Sequence, residues 1–176
     1  MQADIVGPRE KACCFSGHRP DKLPGGYRRD PTACHSLREA LREAIGRTVA
    51  EGIDTFLCGM ALGVDLWAAE EVLRLKQEKS GLRLVAALPC PQQADRWNAA
   101  DKRRHRELLA MADEIYTACP AYTPYCMNAR NRWMVDHACR LIAVFDGSPG
   151  GTANTLHMAA KQGLSIIRID PWDFLP

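Results

Sequence analysis

The sequence predicts a single α/β domain with a doubly wound, mostly parallel sheet and helices on both faces. Six short apolar runs alternate with longer segments of helical periodicity along the chain. Strict alternation of strands and helices is typical of a parallel sheet that helices cover on both faces. The 176 residues are enough for one such domain, which we assign to residues 1–176, with 1–10 as a loose tail.

The six apolar runs are predicted as strands. They are short and rich in Leu, Ile, Val and Cys, as expected where both faces of a strand are buried. In chain order they are KACCFS (11–16), TFLCG (55–59), LRLVAALP (82–89), DEIYTA (113–118), RLIAVFD (140–146) and LSIIRID (164–170).

Five segments between these runs are predicted as helices. In the first, apolar residues recur every four positions from Leu37 to Val49, which gives one apolar face. The second begins at Asp65, a residue type suited to an N-cap, and ends at Gly81. The five segments are 34–52, 65–81, 96–113, 128–138 and 152–163.

The overall composition excludes several classes of protein. The formal net charge is +2, which gives no reason to expect strong non-specific binding to nucleic acid or to a membrane surface. No run has the length or composition of a signal peptide or a membrane span, so we expect a cytoplasmic protein. The eight cysteines include no Cys-x-x-Cys pair, so we predict buried thiols and no metal site.

The first loop with unusual composition is SGHRP, directly after the first strand. Gly17 permits a sharp turn whose backbone amides can face a phosphate. His18 and Arg19 add a directional donor and a cation, and arginine is well suited to bidentate phosphate binding. The alternative is a structural turn with a solvated arginine.

The second loop, CGMALGVD, contains Gly59 and Gly63 between a strand and a helix. It matches neither the Gly-x-Gly-x-x-Gly dinucleotide motif nor a P-loop. Its glycines would let the backbone approach a ligand, with helix amides behind them. Asp65 would cap the helix or accept a hydrogen bond from a ribose hydroxyl.

The third loop, FDGSPGGTANT, is the most informative of the three. Gly150 and Gly151 open the turn, and Thr152, Asn154 and Thr155 bring polar side chains to the start of a helix. Such a turn presents unpaired amides to an anion. Because ligands of doubly wound folds bind at the carboxyl ends of the strands, the three loops together predict a nucleotide-like ligand.

The segments SGHRPDKL, CGMALGVDLWAAE, PCPQQADRWNAADKRRH, NARNRWMVDHACRLIAVFDG and GGTANT together resemble the SLOG superfamily of Rossmann-like proteins, most closely its YpsA-like branch. The resemblance covers nearly the whole chain and implies a Rossmann-like fold. Relatives with this fold often pair as dimers, so the resemblance also implies a homodimer. YpsA-like proteins are linked with cell-division control in some bacteria.

Two related families indicate what the motifs do. GMALGVDLWAAE resembles a turn of the DNA-processing protein A family, whose Rossmann-like domain binds single-stranded DNA. The stretch 127–154 is similar to the LOG (Lonely Guy) phosphoribohydrolases, which release bases from nucleoside monophosphates. Arg130 and Met134 match the LOG pattern, which implies that Arg130 points into the site. However, Asn131 replaces a lysine, and the catalytic glutamate falls at or near His157.

These observations lead to one main hypothesis and two alternatives. The main hypothesis is a sensing or regulatory protein that binds a nucleotide or an ADP-ribose-like ligand, with no cofactor assigned. The first alternative is an N-glycosidase that uses Asp65 or Glu70 in place of the missing glutamate. The second is single-stranded nucleic-acid binding, against which the low net charge argues. The predicted ligand-binding residues are Gly17, His18, Arg19, Gly59, Gly63, Asp65, Arg130, Gly150, Gly151, Thr152, Asn154 and Thr155.

Overall fold

The computed structural model describes residues 4–25 and 34–174, so the last part of the irregular stretch 21–31 lies outside the described residues. The strands are β1 (Ala12–Gly17), β2 (Thr55–Cys58), β3 (Arg83–Leu88), β4 (Glu114–Thr117), β5 (Arg140–Val144) and β6 (Ser165–Ile169). The α-helices are α1 (His35–Ala50), α2 (Val64–Glu78), α3 (Ala99–Met111), α4 (Cys126–Asp136) and α5 (Gly151–Lys161). Each overlaps its predicted segment.

All neighbouring strands of the sheet are parallel, in the order β4-β3-β2-β1-β5-β6. β1 lies in the middle, and Cys14 pairs with Leu57 of β2 on one side and with Leu141 of β5 on the other. From β1 the chain first extends the sheet in one direction and then returns to extend it in the other. The predicted α/β fold class is confirmed. The order in which strands are added to the sheet reverses between β1 and β5.

The helices form one layer on each side of the sheet. Cys13 and Phe15 of β1 pack with the buried residues of α1 and α2. Ala12 and Cys14 point to the opposite side and pack with α4 and α5. Both faces of β1 are therefore buried, which explains why its sequence is continuously apolar instead of alternating.

The described part of the predicted loose tail, residues 4–10, contacts the body of the protein. Val6 is buried and belongs to the cluster beneath α4 and α5. Arg83 donates hydrogen bonds to the carbonyl oxygens of Ile5 and Val6, at 2.9 and 3.0 Å. Within the described ranges, no helix combines the length and the apolar character needed to cross a bilayer.

The segment before α3 differs from its prediction. Helix α3 begins at Ala99, after Asn98, whose side chain accepts a hydrogen bond from the backbone N–H of Asp101 at 2.9 Å. The predicted helix 96–113 therefore starts three residues too early, and Gln93 and Trp97 lie in turns ahead of it. The N-cap explains the difference. Because the Asn98 side chain accepts a hydrogen bond from the backbone N–H three residues later, the helix begins directly after it.

We expect His105 of α3 to make stability depend on pH. Its ring is buried against Trp97, its Nε2 has no hydrogen-bond partner among residues 4–25 and 34–174, and burial lowers its pKa from the usual 6.5. The unfolded chain then binds more protons than the folded protein near the unfolded pKa, so the free energy of unfolding falls as the pH drops below 6.5. Urea unfolding at about pH 7.5 and about pH 5.5 measures this difference.

The variant His105→Leu should lose part of that pH dependence, because the titrating group is gone. His157→Gln changes an exposed histidine of α5 and is the matched control. An unchanged pH dependence in His105→Leu would contradict the assignment.

Candidate functional site

A cleft of about 320 Å³ opens at the carboxyl ends of β1 and β5, where the direction of the sheet changes. Its walls come from the loop after β1, the β2–α2 connection and the starts of α4 and α5. In doubly wound folds this is the position at which ligands bind. Seven of the predicted residues line the cleft: Gly17, His18, Arg19, Asp65, Arg130, Gly151 and Thr152.

The N-terminus of α5 forms one wall of the cleft. Gly150 is the N-cap residue and has no side chain to cap the helix, and its φ of +145° favours glycine. The first intrahelical bond runs from the Asn154 N–H to the Gly150 carbonyl at 3.1 Å. The amides of Gly151 and Thr152 precede that bond, so they lack intrahelical acceptors at a cleft wall. This end of the helix carries a partial positive charge.

A buried arginine of α4 also lines the cleft. Arg130 of α4 donates hydrogen bonds to the carbonyl oxygens of Gly59 and Ala87 and to Asn131 Oδ1. Its side chain therefore joins α4 to the ends of β2 and β3. Burial lowers the pKa of Arg130, while the carboxylate of Asp65 opposes that shift.

Asp65 lies in the first turn of α2, and the N-cap residue is Gly63. The expectation that Asp65 caps this helix is therefore wrong, because the N-cap lies two positions earlier, and the helix begins one residue before the predicted segment. Its carboxylate instead turns back and accepts a hydrogen bond from the Ala61 N–H at 3.2 Å. Burial raises the pKa of this carboxyl group, and the nearby Arg130 and Arg19 lower it in part.

His18 is buried and contacts a carboxylate that the sequence analysis missed. Its Nε2 lies 2.8 Å from Oδ1 of Asp146, which follows β5 closely. The hydrogen bonds from Ser148, together with His18, hold the pKa of Asp146 well below its usual range, so this carboxylate is ionised. The signal for Asp146 was its position after a buried strand, within the third loop.

The predicted glycines of the first two loops allow close packing between protein segments. A Cβ on Gly17 would lie 2.5 Å from the Cβ of Val64, and one on Gly63 would lie 2.7 Å from the His18 carbonyl oxygen. Gly63 also has φ +92°, which favours glycine. The loops after β1 and β2 are thus in direct contact, and Gly63 itself does not line the cleft.

Two exposed cations, Arg19 and Lys22, line the cleft. The Arg19 side chain is exposed and has no hydrogen-bond or ion-pair partner among the described residues. Lys22, which the sequence analysis missed, donates to Ser148 Oγ at 3.3 Å and to the Pro149 carbonyl at 3.5 Å. Lys22 therefore connects the loop after β1 to the loop before α5.

The remaining predicted residues lie outside the cleft lining. Gly59 is beneath Arg130, Gly150 and Asn154 are exposed, and Thr155 is buried with its hydroxyl donating to the Gly151 carbonyl at 3.0 Å. Glu70, offered as a substitute catalytic acid, accepts hydrogen bonds from Arg104 and Arg38 instead. His157, at or near the place of the LOG glutamate, is exposed on α5.

We expect Gly59→Ala to displace Arg130 and destabilise the protein. A Cβ there would lie 2.6 Å from Arg130 Cζ and 2.7 Å from Asp65 Oδ2, too close for either group to stay in place. The expected loss is about 1–3 kcal/mol of unfolding free energy, measured by urea unfolding.

Gly46→Ala in α1 is the matched control, because its added Cβ would have no described atom from outside its own stretch of helix within 4 Å. This control should gain about 0.5–1 kcal/mol, as alanine is the better helix former. Equal stability changes in the two variants would contradict the packing role of Gly59.

Solved structures of DNA processing protein A (DprA) have a similar fold. For the protein from Streptococcus pneumoniae the TM-score is 0.62 at 15% identity, over 90% of this chain and 50% of that one. This chain therefore spans half the length of that protein. For the Helicobacter pylori protein, described for its single-stranded DNA binding mode, the TM-score is 0.60 at 16% identity, over 92% of this chain and 69% of that one. At these identities the likeness concerns the fold alone.

Sequence relatives lead to the family. The UPF0398 protein of Bacillus pumilus (strain SAFR-032) is 28% identical over 154 residues, which cover 86% of this chain and 82% of the relative. The UPF0398 protein YpsA of Bacillus subtilis (strain 168) is 27% identical over 158 residues, which cover 86% of this chain and 87% of the relative. The family model described as the YspA SLOG family (YpsA) matches residues 13–169, from β1 to the end of β6. The resemblance found in the sequence is confirmed, and the chain belongs to the YpsA SLOG family.

Proposed function

We propose that this protein binds a nucleotide or a nucleotide-derived ligand of the ADP-ribose type in the cleft, in a sensing or regulatory role. One observation carries the proposal: Arg19, Arg130 and the uncapped N-terminus of α5 line the same cleft. These are the groups that bind a phosphate in proteins, namely guanidinium cations and free backbone amides.

The phosphate would lie between α5 and the loop after β1. The helix fixes the orientation of the Gly151 and Thr152 amides, so they can donate hydrogen bonds to an anion without rearrangement. Arg19 has no partner to give up among the described residues, so its guanidinium is free to bind. Lys22 lines the same cleft and adds a second exposed positive charge.

The rest of the ligand would extend towards α4 and α2. Met127 and Met134 give this part of the cleft apolar, adaptable surface suited to a base. Asp65 offers a buried carboxylate, and His18 a ring held by Asp146, as hydrogen-bonding partners for ribose hydroxyls. The volume of about 320 Å³ is at the lower end of the usual range for small-molecule sites.

Isothermal titration with AMP, NAD and ADP-ribose tests the proposal. We expect binding by at least one of them, and Arg19→Ala should weaken it about tenfold or more because a charge-assisted hydrogen bond is lost. Arg106→Ala removes an exposed arginine of α3, outside the cleft, and should leave the affinity unchanged. No heat from any ligand at millimolar concentration, or an equal loss in both variants, would contradict the proposal.

A single-stranded oligonucleotide in parallel binding measurements distinguishes the nucleic-acid alternative. The fold shared with DprA favours single-stranded nucleic-acid binding, whereas the formal net charge of +2 argues against contacts with many phosphates. Binding that is tighter than that of mononucleotides and falls steeply with salt would support it. Affinity for the oligonucleotide that does not change with salt would remove it.

A second candidate function is hydrolysis of an N-glycosidic bond. The observation that favours it is Asp65, a buried carboxyl group in the cleft whose pKa is raised by burial. A raised pKa keeps a carboxyl group protonated to higher pH, as a general acid requires. Glu70 is poorly suited to this role, because it is paired with Arg104 and Arg38 outside the cleft.

If Asp65 acts as the acid, incubation with nucleoside monophosphates should release free base. The rate should fall as the pH rises through the pKa of Asp65, and Asp65→Asn should lower it at least about a hundredfold. Glu70→Gln, on the same helix, should retain the rate. The measurement is chromatographic detection of the base, and activity that persists in Asp65→Asn would exclude this acid.

A further inference from the structure

Three of the eight cysteines gather at the carboxyl ends of β3 and β4 and the start of α4. They are Cys90, Cys119 and Cys126, and all are free thiols. Cys90 and Cys126 are buried, whereas Cys119 is only half-buried. No group of three described His, Cys, Asp or Glu side chains is arranged to hold a metal ion, so we consider the thiol chemistry of this cluster instead.

Two backbone hydrogen bonds join the irregular segments that follow β3 and β4. Leu88 pairs with Thr117, and the next two residues of the second segment donate onwards, from the Ala118 N–H to the Leu88 carbonyl at 2.9 Å and from the Cys119 N–H to the Pro89 carbonyl at 3.0 Å. Cys90 follows Pro89 directly, so the backbones of Cys90 and Cys119 are close neighbours here. The Cys90 thiol also forms a hydrogen bond with the Cys126 thiol.

This arrangement fits the geometry of a disulfide. Neighbouring strands lie about 4.8 Å apart, and disulfides join residues whose Cα atoms are about 4.4–6.8 Å apart. The hydrogen bond from the Cys119 N–H to the carbonyl of the residue before Cys90 keeps the two backbones at such a spacing.

We propose that Cys90 and Cys119 are a modification site at which a low-molecular-weight disulfide is reduced and an internal disulfide is formed. In the first step the Cys119 thiolate attacks one sulfur of the reagent, whose S–S bond breaks and releases one small thiolate. In the second step Cys90 loses its proton to solvent, and its thiolate attacks the Cys119 sulfur and releases the second small thiolate. The protein loses two electrons, and the reagent gains them as two thiols.

The order of the two steps follows from accessibility and acidity. Cys119 is the member of the cluster that solvent reaches, so it meets the reagent first. Burial raises the pKa of Cys90, and the neighbouring Cys126 and Cys119 thiols raise it further. Because only the thiolate attacks, the second step is slow near neutral pH and becomes faster as the pH rises.

The test uses the reduced full-length protein and glutathione disulfide, followed by alkylation, intact-mass analysis and peptide mapping. We expect a mixed disulfide on Cys119 first, then the loss of two alkylatable thiols per chain and a peptide pair that joins residue 90 to residue 119. Conversion of the mixed to the internal disulfide should speed up from about pH 7 to about pH 9.

Cys119→Ser should abolish the internal disulfide, and Cys90→Ser should stop the reaction at the mixed disulfide. Cys139→Ser removes another half-buried cysteine, at the start of β5, and is the matched control that should react like the parent protein. Circular dichroism checks that each variant is folded, and Cys119→Ala replaces Cys119→Ser if the latter is not. A parent protein that stops at the mixed disulfide, or whose internal link involves other residues, would overturn the proposal.

Discussion

The buried guanidinium of Arg130 is the contact on which the cleft depends. A charge in the interior is stable only when its donors are hydrogen-bonded, and Arg130 satisfies this through the carbonyls of Gly59 and Ala87 and the side chain of Asn131. Those carbonyls lie at or beyond the ends of two neighbouring strands, so one side chain sets how α4 meets the sheet. Gly59 has to be glycine because the arginine occupies the space of its Cβ.

Charged groups of both signs line the cleft or lie next to it. His18 Nε2 lies 2.8 Å from Asp146 Oδ1. Burial raises the pKa of Asp65, and the positive charges of Arg130 and Arg19 lower it in part. Among the groups that line the cleft, Arg19, Lys22 and the helix N-terminus attract a phosphate, and the Asp21 carboxylate opposes them.

The sequence was sufficient for the fold, because periodicity and alternation are local properties that a continuous apolar strand such as β1 and a striped helix such as α1 show directly. The motifs and the family resemblance also assigned Arg19 and Arg130 to one site, and both residues line the cleft. It could not reveal what each glycine touches: Gly17 and Gly63 accommodate Val64 and the His18 carbonyl, contacts that only the assembled loops define. The roles of Lys22 and Asp146 were not predicted for a similar reason, since they depend on partners that are distant in sequence.

Because β1 lies in the middle of the sheet, the cleft beside it can form only late in synthesis of the chain. His18 meets Asp146 across 128 residues of chain, and Lys22 meets Ser148 across 126. During synthesis the first three strands and their helices can associate early, but the second wall of the cleft arrives only with β5 and α5. Contacts of such long sequence separation form slowly, so the nascent chain acquires a sheet before it acquires a place for a ligand.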